Sequence, residues 1–201
     1  MNFDPDDKQH TLCFTGHRPS IVDSMEYSYF ADPSQYDSKH EVWEQISKQI
    51  RNTVLLDTIQ MFYIDYGIRQ FITGGAIGFD QLATDTLIDF KRTFAPDICI
   101  VVARPFPSQP RLWPAHVKEL YYEQLNNVDE VIDVNTDPYE KWKMHVRNKW
   151  MVDHSSFVIS MRVAHATTGG TVACMSYAMK QNIPIWNIDP VDGSSGFIGE
   201  V

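Results

Sequence analysis

The strongest constraint on the fold is an alternation that runs the length of the chain. Six short apolar runs, at 11–15, 70–73, 98–103, 130–134, 157–161 and 183–188, are separated by segments with helical signals. The runs are mostly apolar rather than alternating, which suits parallel strands covered on both faces. Pro184 predicts that the last run starts late or lies at an edge. Between the first two runs, Val42, Ile46, Ile50 and Val54 recur at a four-residue step, and Gly67 offers a stop for a helix over 41–66. Asp80 is placed to cap a helix over 80–92, and Pro114 to open one over 114–127. Further helices are predicted over 138–153 and 170–181.

Strand–helix alternation repeated this often implies right-handed crossovers. The prediction is an α/β, Rossmann-like fold. It has a mainly parallel sheet with helices on both faces, in a single domain over 1–190. Two segments depart from the alternation. Residues 18–40 form a long loop insertion carrying Tyr27, Tyr29, Phe30 and Tyr36 among Asp23, Glu26, Asp32 and Asp37. It reads either as a functional flap or as a surface excursion packed by its own aromatics. Residues 191–201, rich in glycine and serine, read as a flexible tail.

Composition narrows the function classes. The chain has 201 residues and is 43% hydrophobic, enough to bury a substantial core. Its 17 bases and 26 acids sum to −9, which counts against general nucleic-acid binding through a basic coat. A phosphate-bearing small molecule needs only local positive potential. The acidity is also uneven: residues 51–186 hold 14 acids and 13 bases, so the excess lies in the two ends. Cys13, Cys99 and Cys174 sit in apolar contexts without a Cys-x-x-Cys pair, so buried free thiols and a reducing, cytoplasmic setting are expected. Asp4-Pro5-Asp6-Asp7 is the wrong chemistry for a secretory signal. No apolar run approaches the roughly 18 residues of a membrane span. The seven histidines show no His-x-x-x-His spacing, and neither a metal nor a cofactor is expected.

Open α/β sheets bind ligands outside the carboxyl ends of their strands, so the residues following each run are the candidates. Three junctions stand out. After the first run come Thr15, Gly16, His17 and Arg18, a tight turn with nitrogen donors suited to an anion. After the second come Thr73, Gly74, Gly75, Gly78 and Asp80, a glycine-rich loop opening a helix, where backbone N–H groups and the helix dipole favour phosphate. Glycine there also suits close strand–helix packing alone, and Asp80 reads as a helix cap or as a ribose hydroxyl acceptor. Before the last helix come Gly169, Gly170 and Thr171, with backbone donors at a helix start. Two further groups follow. The stretch 104–113 carries Arg104, Arg111, Phe106, Trp113 and three prolines, a set that clamps an anion, stacks a base or merely pairs with acids. Arg147 and Asn148, late on a helix, reach a ligand or pair with neighbouring acids.

These segments, taken in order, resemble the YpsA-like branch of the SLOG superfamily, over about residues 11–189. The segments are Cys13-Phe14-Thr15-Gly16-His17-Arg18-Pro19, Thr73-Gly74-Gly75-Ala76-Ile77-Gly78-Phe79-Asp80, Arg104-Pro105-Phe106, Arg147-Asn148 with Met151-Val152-Asp153, and Gly169-Gly170-Thr171. The superfamily includes the LOG phosphoribohydrolases and the Rossmann-like core of the DprA proteins. The resemblance implies a Rossmann-like fold binding a nucleotide or ADP-ribose-like ligand at the strand ends. Such a protein would be a sensor or a sequestering protein, with antiphage-defence nucleotide signals among the ligands. It also implies a homo-oligomer. One departure bears on catalysis: the LOG motif carries a catalytic Glu where this chain has Cys174, and a neutral thiol does not replace a carboxylate. An N-glycosidic hydrolase would then rely on His17, Asp80 or Asp153. A protein-interaction regulator with a vestigial pocket is the third reading.

Overall fold

The computed structural model describes residues 2–25 and 27–199. Its seven strands are β1 (Thr11–Gly16), β2 (Gln70–Thr73), β3 (Cys99–Arg104), β4 (Glu130–Asp133), β5 (Phe157–Met161), β6 (Ile185–Ile188) and β7 (Ser195–Ile198). They form one sheet in the order β4-β3-β2-β1-β5-β6-β7. All pairs are parallel except β6–β7. Cys13 lies opposite both Ile72 and Val158, which sets β1 at the centre. The helices are α1 (Lys39–Ile50), α2 (Leu56–Asp65), α3 (Phe79–Thr93), α4 (Ala115–Leu125), α5 (Lys141–Asp153) and α6 (Gly170–Lys180).

Successive strand residues point to opposite faces, and two cores result. Leu12, Phe14, Phe71, Ile100 and Ile159 pack with residues of α1, α2 and α3, such as Ile46, Ile59 and Leu87. Their neighbours Cys13, Ile72, Val101 and Val158 pack with Met151 and Val152 of α5 and Cys174, Met175 and Ala178 of α6. Apolar runs without alternation are what two covered faces require. The chain steps outward from β1 to β4 and then returns to β5 beside β1. The topological switch point therefore lies between β1 and β5.

Several expectations change in detail. The helix predicted over 41–66 is α1, a wide π turn at Arg51–Leu55, and α2. The apolar step runs through the turn, so periodicity alone does not reveal it. Pro184 does delay its strand, which begins at Ile185, but β6 is not an edge. The segment read as a flexible tail supplies β7, whose Phe197 packs against the ring of Trp186. Residues 200 and 201 lie outside the described residues. The 18–40 insertion is a packed excursion. Val22, Met25, Phe30 and Ala31 are buried in the first core. The Ser28 hydroxyl donates to the Pro190 carbonyl, and the Tyr29 N–H to that of Val191, both at 2.6 Å. Tyr27 and Tyr29 remain exposed. Glu26, counted among the acids of this segment, lies outside the described residues.

Candidate functional site

The glycine-rich loop after β2 is built around a buried ion pair. Asp80 sits in the first turn of α3 and does not cap it; Gly78 holds the cap position at φ +109°. A side chain at Gly78 would run into the backbone of His17 and Arg18, so the β2 loop closes directly on the β1 turn. The Asp80 carboxylate accepts from the Ala76 N–H at 3.3 Å and also from that of Gly74. Arg147 reaches it from α5 at 3.7 Å and donates to the Ala103 carbonyl at 3.3 Å. Both side chains are at least nine-tenths buried. Burial pushes the Asp80 carboxyl upward, and Arg147 offsets part of that rise. Gly74 is required by close approach, because a Cβ there would overlap the Arg147 guanidinium. Gly75 packs beneath Val102 and Tyr121.

Several residues expected to face a ligand therefore face inward. Two of the loop's N–H groups are answered by a carboxylate of the chain itself, and Arg147 is enclosed beneath the loop. Asp80 is neither a cap nor an exposed acceptor. Thr73 shares a 2.8 Å hydroxyl contact with Thr84. Thr15 is buried with its hydroxyl on the Cys174 thiol. Arg104 is held by Asp133 in a two-pronged pair, with its second contact at 3.0 Å. Gly16 lies against the Phe79 ring. Burial raises the Cys174 thiol to about 11 and raises Cys13 as well, so both stay neutral. His17 donates its N–H to the Met161 carbonyl at the switch point, and its Nε2 is buried with no hydrogen-bond partner among the described residues. Burial, then Arg162, then His165 lower its pKa, while Asp189 acts in the opposite direction.

The open space lies beside this loop. A cleft of about 1020 Å³ is walled by the β3–α4 connection, the β4–α5 connection, the first turns of α5, Arg18 and Gly170. Its cations are Arg18, Arg111 and Lys141, all exposed. None makes an ion pair with an acid among the described residues. Its rings are Phe106, Trp113 and Tyr139, with the Tyr139 ring edge-on to Phe106. Among the described residues its one acid is Asp137, which accepts from both the hydroxyl and the N–H of Ser108, and these bonds lower its pKa. Of the predicted site residues, the cleft unites Arg18 and Gly170. Gly169 is the exposed cap residue of α6, and Thr171 is buried in its first turn. Asn148 lines a second cavity instead. Lys141, Met144 and His145 escaped sequence reasoning. The only available signal was the four-residue step from Lys141 to His145 on a predicted helix.

Among the described residues, no three His, Cys, Asp or Glu side chains converge as metal ligands. No described helix is long and apolar enough to cross a membrane. His17 and Asp80 lie at the carboxyl ends of the strands. Asp153, at the far end of α5, accepts instead from the Tyr177 hydroxyl at 2.8 Å. The three candidate acid–base groups are not brought together.

A doubly covered, mainly parallel sheet with its cleft over the strand ends defines a Rossmann-like α/β protein. Residues 12–192 match the YspA SLOG family, and the chain belongs to that family. The SPbeta prophage-derived protein YoqJ of Bacillus subtilis is 34% identical over 134 residues, covering 60% of this chain and 77% of YoqJ. UPF0398 protein OB1025 of Oceanobacillus iheyensis is 22% identical over 185 residues, covering 90% of this chain and 89% of that protein. Among solved structures, DNA processing protein A from Helicobacter pylori superposes with a TM-score of 0.54 at 16% identity, over 94% of this chain and 71% of that one. That structure is described for its single-stranded DNA binding mode. The expectation that nucleic-acid binding is unlikely is thereby corrected, because the same fold serves a single-stranded DNA binder. Net charge is a sum over the whole surface, whereas a ligand meets only the local set of charges.

Proposed function

We propose that this protein binds nucleotide units in the cleft over the strand ends. Bases would lie against Trp113 and Tyr139, and phosphates against Arg18, Arg111 and Lys141. One observation carries this reading: three exposed cations that make no ion pair among the described residues surround the rings of Trp113 and Tyr139 in a single cleft of about 1020 Å³. Ring faces accept any base, and guanidinium groups accept phosphate in pairs of hydrogen bonds. Family membership and the DprA-like fold support the same class of ligand. The class runs from nucleoside phosphates to ADP-ribose-like molecules, and the protein would hold such a ligand rather than cleave it. The separation of His17 from Asp153 and the neutral Cys174 thiol speak for holding.

Calorimetric titration with dTMP, ADP and ADP-ribose tests the reading, followed by mass spectrometry of the recovered ligand. The expected result is saturable binding with the ligand recovered intact. Absence of saturation by any of the three at millimolar concentration would overturn it. Accumulation of free base beyond one equivalent would replace holding by hydrolysis.

A further inference from the structure

The cleft does not end at the first turn of α5. A second cavity, of about 450 Å³, lies between α5 and α6 and shares His145 with the first. Both helices pack on one face of the sheet and run in the same direction, so the groove between them leads away from the strand ends. Lys141, His145 and Lys149 follow one another at a four-residue step along α5. Consecutive members therefore sit on one face about 6 Å apart along the axis. Lys180 joins them from α6 across the second cavity. Tyr177 offers a ring there, with the Lys149 ammonium 5.3 Å from its centre. Lys141, Lys149 and Lys180 are exposed and make no ion pair among the described residues. Asp153, the nearest acid on α5 beyond Lys149, accepts from the Tyr177 hydroxyl.

A single nucleotide occupies part of one cavity and leaves the other unused. Lys141 and Lys149, about 12 Å apart along α5, with a ring in each cavity, instead match a repeating anion that carries aromatic groups. We infer that the two cavities form one track for a single-stranded polynucleotide, with phosphates along the α5 stripe and bases over Trp113 and Tyr177. The inference rests on the nucleotide reading of the first cavity and extends it to a polymer. The track would be largely indifferent to sequence, because stacking and phosphate contacts carry little base information.

The test compares dTMP with the oligonucleotide dT10, on the wild-type chain and on the double variant Lys149→Gln/Lys180→Gln. Both lysines are exposed, so the variant keeps the fold, which circular dichroism checks. Ten equivalent units raise apparent affinity about tenfold by statistics alone, and a second engaged site adds a further factor of about ten or more. Wild-type protein is therefore expected to bind dT10 at least about a hundredfold tighter than dTMP. The double variant is expected to lose about tenfold for dT10, with dTMP unchanged within about twofold. The slope of log affinity against log salt for dT10 should fall by about 1.4, at about 0.7 per phosphate contact on a single strand. A dT10 advantage no greater than the statistical factor would overturn the track and leave the nucleotide site standing. So would a double variant with unchanged dT10 affinity and salt slope. Failure of both probes to bind the wild-type chain would remove the nucleotide site itself.

Discussion

Two regions of this molecule carry donors and positive charge, and they spend them differently. In the glycine loop after β2, the carboxylate of Asp80 takes the N–H groups of Gly74 and Ala76. Arg147 is enclosed between that carboxylate and the Ala103 carbonyl. In the cleft walled by 106–113 and α5, the cations Arg18, Arg111 and Lys141 are exposed and make no ion pair among the described residues. The first region is an internal brace that shapes the strand ends. The second is free to meet a ligand. A glycine-rich loop in the expected place does not by itself identify the ligand-facing surface. The chain's own carboxylate already occupies part of the space that a phosphate would need.

Removing Arg147 is the most forceful way to test this contrast. Arg147→Ala leaves the Asp80 carboxylate buried without its counter-charge, and loss of one partner of such a pair costs about 3–5 kcal/mol. Urea unfolding at neutral pH measures it. A cost below about 1 kcal/mol would mean that the pair is not the brace described. Gly74→Ala strikes the same contact from the other side, because its Cβ meets the guanidinium; forcing extra volume into a filled site costs about 1–3 kcal/mol. Gly170→Ala is the control, since nothing lies within 4 Å of a Cβ there. Its stability is expected to stay within about 0.5 kcal/mol of wild type. Equal losses at both glycines would erase the distinction between brace and open junction.

What the sequence makes legible follows the same division. The strands and helices are legible because burial on two faces imposes apolar runs, and these show directly in residues such as Ile98 to Ala103. The three junctions after β1, β2 and β5 are legible because tight turns and close approaches require glycine. Which way a polar group at a junction points is not legible. Asp80 and Arg147 are 67 residues apart in sequence, and only the packing of α5 against the β3 end joins them. Lys141 and His145 were hidden for the opposite reason. Exposed polar side chains on a helix are ordinary in sequence, and only the adjoining loops turn them into the wall of a cleft. The seventh strand escaped because Ser195, Gly196 and Phe197 gain order from pairing with β6, a contact their own composition does not announce.

Trp113→Ala tests the other half of the comparison. If the open cleft is the ligand surface, loss of the ring weakens dTMP binding by about 1–3 kcal/mol, the usual worth of a stacked base. Titration calorimetry reads this directly. Arg147→Asn, assayed where it remains folded, would act on stability first and on affinity only through the loop. An affinity loss at Arg147 larger than that at Trp113 would reverse the assignment and return the glycine loop to the ligand.

The smallest expected effect concerns pH and separates the two forces acting on Asp80. Burial raises its pKa above the ordinary 3.8, and Arg147 recovers only part of the difference. The folded state therefore binds this proton more tightly than the unfolded chain does. Its contribution to stability is complete below pH 3.8 and declines as pH rises through the elevated folded value. Asp80→Asn abolishes the titration while keeping an oxygen that can accept from Ala76. The difference in unfolding free energy, wild type minus variant, should fall as pH rises above 3.8 through the elevated folded value. The same linkage predicts that the cost of Arg147→Ala shrinks in acid, where Asp80 takes up a proton instead of remaining a bare charge. A difference that rises with pH would show Arg147 outweighing burial. The brace would then be a favourable ion pair, rather than a desolvated carboxylate held in place by the loop it supports.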